Sequence, residues 1–258
     1  MGVMETPRNA IVIAAVLAVA ALGAGASSHA AGRAAACPRL ADATKLPRRP
    51  GGGRLEGDVD GDGTADRATI RYAPKSLTGC GFLLVVETRN RVLVIRIPEL
   101  GKGRSVPIHD WYEEDPYVAA AVRLTADRDQ IVVSRWHGAS VADVSLYGLV
   151  GRELRLLRFR PRLYEDELSL FGSVGTDNTN ARCSRGGPLI VVGLGPTDAR
   201  DRRWLASRSR YRLKGAEIAL AGTRAVRGSY RRAAAAADRW GVDGLPFTSC
   251  AVSRGRRL

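Results

Sequence analysis

The chain has 258 residues, with 40 Lys and Arg against 26 Asp and Glu, a formal charge of +14, three histidines and four cysteines. That length suits one sizeable core or a short repeat array. The basic residues are nearly all arginine and scattered, and no recognition helix, zinc-finger spacing or aromatic RNP-like strand accompanies them, which excludes the usual nucleic-acid readers.

The N-terminus carries Arg8, an apolar run over 11–22 and two small-residue cleavage patterns, Ala24-Gly25-Ala26 and Ser28-His29-Ala30. This order predicts a secretory signal peptide over 1–30. The run falls short of the about 20 apolar residues a spanning helix needs, so no transmembrane span is expected in the mature form. A secreted, extracellular protein follows. Cys37 sits behind Ala34-Ala35-Ala36, but no leucine stands three positions before it, which favours a disulfide over lipid attachment. Cys37, Cys80, Cys183 and Cys250 form an even set in an oxidising compartment, for which three connectivities exist. Pairing sequence neighbours, Cys37 with Cys80 and Cys183 with Cys250, would staple each end of the chain to its body.

Residues 31–54 hold Pro47, Pro50 and three successive glycines without a sustained period, and read as a linker. From Leu55 to the C-terminus, short β-rich runs alternate with Gly, Asp, Asn and Pro, which predicts an all-β domain over 55–258. The domain is internally repetitive. Thr64-Ala65-Asp66-Arg67 recurs as Thr125-Ala126-Asp127-Arg128, each ahead of a β-type run. The stretches 147–156 and 211–220 share the form Y-x-L-x-G-x-E-[LI]-x-L, and both read as hairpins turning at glycine. With 82–97 as a further hairpin turning at Asn90-Arg91, three units result: about 55–116, 117–169 and 170–224. Ser229 is placed to cap a short C-terminal helix over 230–240, rich in alanine and ended by Gly241.

The sharpest chemical signal lies at 57–66, Gly-Asp-Val-Asp-Gly-Asp-Gly-Thr-Ala-Asp. Asp58, Asp60, Asp62 and Asp66 take loop positions one, three, five and nine, Gly63 stands at position six where the turn is sharp, and the Thr64 carbonyl adds an oxygen. Calcium takes six to eight hard oxygen ligands in flexible geometry, so this loop is a candidate Ca2+ site. An EF-hand would also need an acid at position twelve, where Thr69 stands, and flanking helices, where 68–72 reads as strand. The loop instead resembles those of FG-GAP and VCBS-type repeats, in which D-x-D-x-D-G-x-x-D runs directly into a strand. Phe171-Gly172-Ser173-Val174 ahead of 189–196 is similar to the FG…GAP frame of the same family. The resemblance implies blades of a β-propeller. Propellers use four to eight blades, so three units imply a partial propeller, self-association or another compact β arrangement. With Asp127 set against Asp66, the second unit has Ala119, Ala121 and Arg123 opposite the first three aspartates, so only the first unit is expected to bind the ion.

Candidate catalytic groups are few. They are His109-Asp110 with Glu113, Glu114 and Asp115, and the stretch Trp136-His137-Gly138-Ala139-Ser140. No G-x-S-x-G elbow supports a Ser/His/Asp site, and Gly193-Leu194-Gly195 is followed by Pro196 rather than a dinucleotide fingerprint. The residues therefore point to a secreted, calcium-stabilised structural or binding protein more than to an enzyme. Its expected partner is an extracellular or cell-envelope ligand of anionic type. The alternative is a secreted hydrolase using the His109 or His137 neighbourhood.

Overall fold

The computed structural model describes residues 40–72, 81–97, 115–137, 141–161, 168–171, 178–183, 186–197, 203–243, 246–247 and 249–254. The signal-like leader, Cys37, Cys80, His109 and Asp110 fall outside them. Among the described residues the protein is all-β apart from one short 3-10 helix and one α-helix.

Three antiparallel meanders follow one another along the chain. The first is β1 (Arg54–Gly57), β2 (Asp66–Tyr72), β3 (Phe82–Glu87) and β4 (Val92–Ile97), hydrogen-bonded in that order. The second runs β5 (Tyr117–Val122), β6 (Gln130–His137), β7 (Val141–Val150) and β8 (Glu153–Leu156). After β9 (Arg158–Arg160) and β10 (Leu168–Phe171), the third comprises β11 (Asn178–Cys183), β12 (Leu189–Pro196), β13 (Trp204–Lys214) and β14 (Glu217–Gly228). The final strand is β15 (Ala251–Arg254).

The middle sheet is buried on both faces, which explains the unbroken apolar stretch Ile131-Val132-Val133 of β6. Ile131 and Val133 pack with Leu55, Ile70 and Leu84 of the first sheet, while Val132 packs with Val122, Leu189 and Ile218 toward the third. A bulge at Ala119 sets the parity of β5. It sends Val118 and Ala121 to the first sheet, and Ala120 and Val122 to the third. One extra residue reverses the alternation that a regular strand would keep. The result is a partial, propeller-like stack of three sheets. Its outer faces are covered too. The 3-10 helix Leu40–Lys45 puts Ala43 against Leu83 and Val85 of the first sheet. The helix α1 (Tyr230–Trp240) puts Ala233, Ala236 and Ala237 against Val192, Trp204 and Ala206 of the third.

The two Y-x-L-x-G-x-E echoes are equivalent hairpins. Tyr147 faces Leu156 across β7 and β8, and Tyr211 faces Leu220 across β13 and β14. Each turns through two residues led by a glycine of positive φ, Gly151 at 63° and Gly215 at 59°, the place where a type II′ turn requires glycine. The helix also falls on its predicted bounds. Ser229 precedes it without a side-chain cap bond, whereas Gly241 ends it at φ 79°, with Gly241 N–H donating to Asp238 O and Val242 N–H to Ala237 O. That pair of bonds is a Schellman cap.

Three expectations need correction. Residues 40–53 are not a free linker: Arg49 N–H donates to Ile70 O, Tyr72 N–H to Pro47 O and Val118 N–H to Gly52 O. The prolines and glycines of this segment serve a path laid along two sheets, where periodicity is not needed. The third meander begins at Asn178 rather than Leu170, because β10 pairs with the first half of β7, beside β8 on the second half. The sheets are also stitched together by strands distant in sequence: β9 adds in parallel to β14, and β15 adds to the free edge of β5. Finally, Asp127 is not the counterpart of Asp66. Gly57 pairs with Asp66 and Val122 with Gln130, so Gln130 takes that place.

Candidate metal centre

The acidic loop spans residues 58–65, between β1 and β2. Its hydrophobic member, Val59, is fully buried in the core shared by the first two sheets and holds the loop down. Gly57 lets the loop approach the middle sheet, since a Cβ there would lie 2.7 Å from that of Ala121. Gly61 and Gly63, at φ 81° and 83°, turn the chain back on itself, a conformation costly to any residue with a Cβ.

Asp66 opens β2 and is 1% exposed. Its Oδ2 accepts Val59 N–H at 2.8 Å and Asp60 N–H at 3.1 Å. Its Oδ1 is buried with no hydrogen-bond partner. Burial pushes the Asp66 carboxyl above the ordinary range; the two backbone bonds oppose the rise, and the charges of Asp60 and Asp62 add to it. Asp58 receives Gly61 N–H on Oδ1 at 2.9 Å and Gly63 N–H on Oδ2 at 3.2 Å. Asp60 Oδ1 receives Asp62 N–H at 3.3 Å.

Oxygens of Asp58, Asp60 and Asp66 lie within 4.8 Å of one another. Oxygens sharing a calcium ion at about 2.3–2.6 Å have a spread of that size, and the set contains no nitrogen or sulfur. Asp62 stands outside this trio and accepts Thr64 N–H at 2.7 Å. Thr64 is exposed on the loop. The unpartnered Asp66 Oδ1 is the feature that an oxygen-seeking cation would satisfy.

Asp129, which sequence reading left out, and Arg123, which it set against Asp62, brace the loop. Asp129, 1% exposed, accepts Asp58 N–H on Oδ2 at 2.8 Å, and its own N–H donates to Asp58 O at 2.7 Å. Its Oδ1 accepts Arg123 Nε at 2.6 Å, which places Arg123 Nη2 3.8 Å from Asp58 Oδ2. Counting from the paired residues Gly57 and Val122, Arg123 takes the place of Asp58 and Leu124 that of Val59. Leu124 N–H donates to Gln130 Oε1 at 2.8 Å, as Val59 N–H does to Asp66. The second loop is thus the equivalent turn, one residue shorter, with a guanidinium and an amide where the first has carboxylates. Strand register is the signal that finds it.

Of the groups considered for hydrolysis, His109, Asp110, Glu113, Glu114 and Ser140 lie outside the described residues. Asp115 receives Arg49 Nε at 3.0 Å, and His137 ends β6 with its side chain outside the described set. Cys183 and Cys250 form a disulfide with Cα atoms 5.2 Å apart, tying β11 to the segment before β15, a separation usual for the bond. Among the described residues, no helix is long and apolar enough to cross a membrane. Comparison of the chain with protein-family models, curated proteins and solved structures gives no match.

Proposed function

We propose that the protein is an exported β-repeat protein of structural or binding role whose first interstrand loop is stabilised by calcium. The observation that carries this reading is the buried, unpartnered Asp66 Oδ1 beside Asp58 and Asp60. Asp58, Asp60 and Asp66 would hold the ion, and the Thr64 carbonyl is the further oxygen that the FG-GAP-type pattern suggests. A bound divalent cation supplies charge that offsets the mutual repulsion of these carboxylates. The chain's own residues do the positioning: Val59 anchors the loop in the core, and Asp129 fixes Asp58 against the second meander. The disulfide supports export to an oxidising compartment, as does the signal-like leader.

Calcium sites of extracellular modules have dissociation constants of about 0.1–1 mM. At millimolar calcium the ion would then contribute about 1 kcal/mol, or roughly 2–4 °C in melting temperature for a domain of this size. Thermal unfolding with calcium and with chelator tests this. Wild type is expected to show the shift and Asp58→Asn/Asp60→Asn to lose it; an equal shift in both proteins would remove the site from this loop.

A further inference from the structure

The arginines that look scattered along the chain converge on one sheet face. On β13, alternation puts Trp204 and Ala206 under α1, so Arg208, Arg210, Arg212 and Lys214 continue the same face beyond them. Register extends the set. Arg224 lies directly across from Arg208 on β14, and Arg160, on β9, lies beside Ala219, which faces Arg212. On the other side the face ends at α1, which covers Ile190, the β12 partner of Arg210.

Glu217 is the acidic residue of these rows, and it is taken by Arg160 at 3.1 Å. Like charges directly opposed on a sheet, as Arg208 and Arg224 are, destabilise the pairing unless something neutralises them. Arg208 Nε is also buried without a hydrogen-bond partner. Between the basic side chains stand the small residues Gly222 and Ala219, on either side of a β-bulge at Ala221. Arginines two apart on β13 repeat at roughly 6.5–7 Å, so the face offers evenly spaced forks rather than one pocket.

We propose that this face of the third sheet binds a linear polyol-phosphate polymer, the poly(glycerol phosphate) type of envelope polyanion. Guanidinium forks match phosphate oxygens in pairs, and a regularly charged flexible chain fits a ladder. The rows from Arg208 to Lys214 carry no aromatic side chain, and the exposed Tyr230 lies beyond them, edge-on against Trp204, so the series of aromatic platforms on which successive bases stack is lacking along the rows. This inference is independent of the calcium loop, which lies on the first sheet.

The test is fluorescence anisotropy of labelled poly(glycerol phosphate) with the full chain over a salt series. Binding to wild type should weaken with salt, and R210Q/R212Q/R224Q should lower the logarithmic salt slope by about 3 and affinity at least about ten-fold. R48Q/R89Q/R152Q removes the same charge elsewhere and should change both far less. R212Q alone, at the exposed hairpin end, should lower the slope by about 1 and reports on the face if the triple variant unfolds. The proposal fails if wild type does not bind, if the two triple variants lose affinity equally, or if an oligothymidylate binds more tightly through the same three arginines.

Discussion

Asp66 lies in a conflict that the rest of its loop creates. Two backbone N–H groups reward its charge on one oxygen, while burial and neighbouring carboxylates penalise it on the other. Its pKa in the folded chain is therefore above the unfolded value. In chelator, the stability it contributes is complete below the unfolded pKa and is lost as pH rises through the folded pKa. Wild type compared with Asp66→Asn should thus lose relative stability across that carboxylate window, as followed by chemical unfolding in chelator at several pH values; a difference independent of pH would contradict the electrostatic account. The aspartate spacing made this loop legible in the sequence. The bracing by Asp129 and Arg123 was not, because the second loop has seven residues, 123–129, where the first has eight, 58–65. A motif match slides past that difference, and strand register does not.

At the scale of elements, local chemistry was a sound guide wherever one turn or cap decides the outcome. Gly151 and Gly215 turn equivalent hairpins, and Gly241 ends α1 where its alanine run stops. Gly241→Ala is a direct check. Its φ of 79° costs a residue with a Cβ about 1–2 kcal/mol, and the added carbon would also collide with the Arg182 guanidinium. A loss of that size is expected in urea unfolding, with little change in calcium response, since α1 packs on the third sheet. What local chemistry could not reveal is which sheet a short strand joins. The strands β9, β10 and β15 offer three or four residues each, and their partners are chosen by burial against distant elements rather than by their own pattern.

For the whole molecule, the question is how three meanders hold together without closing a ring. The middle sheet buries both faces, α1 and the 3-10 helix cover the outer ones, and the late strand β15 returns to the middle sheet. Repeat stacks need such terminal covers, because an end repeat otherwise exposes the face its neighbour would bury. The Cys183–Cys250 disulfide fastens this return path across 67 residues of sequence. A bridge closing a loop of that length contributes about 2–4 kcal/mol. Cys183→Ser/Cys250→Ser should therefore lose about that much unfolding free energy, read as a lowered denaturant midpoint, while an unchanged midpoint would show that packing alone secures the C-terminal strand.

Calorimetric titration of calcium into the purified chain decides whether the first loop holds a cation. One saturable site per chain is predicted, with a dissociation constant of about 0.1–1 mM, absent in Asp58→Asn/Asp60→Asn. A wild-type chain that takes up no calcium, or a double variant that takes it up equally well, would contradict the account.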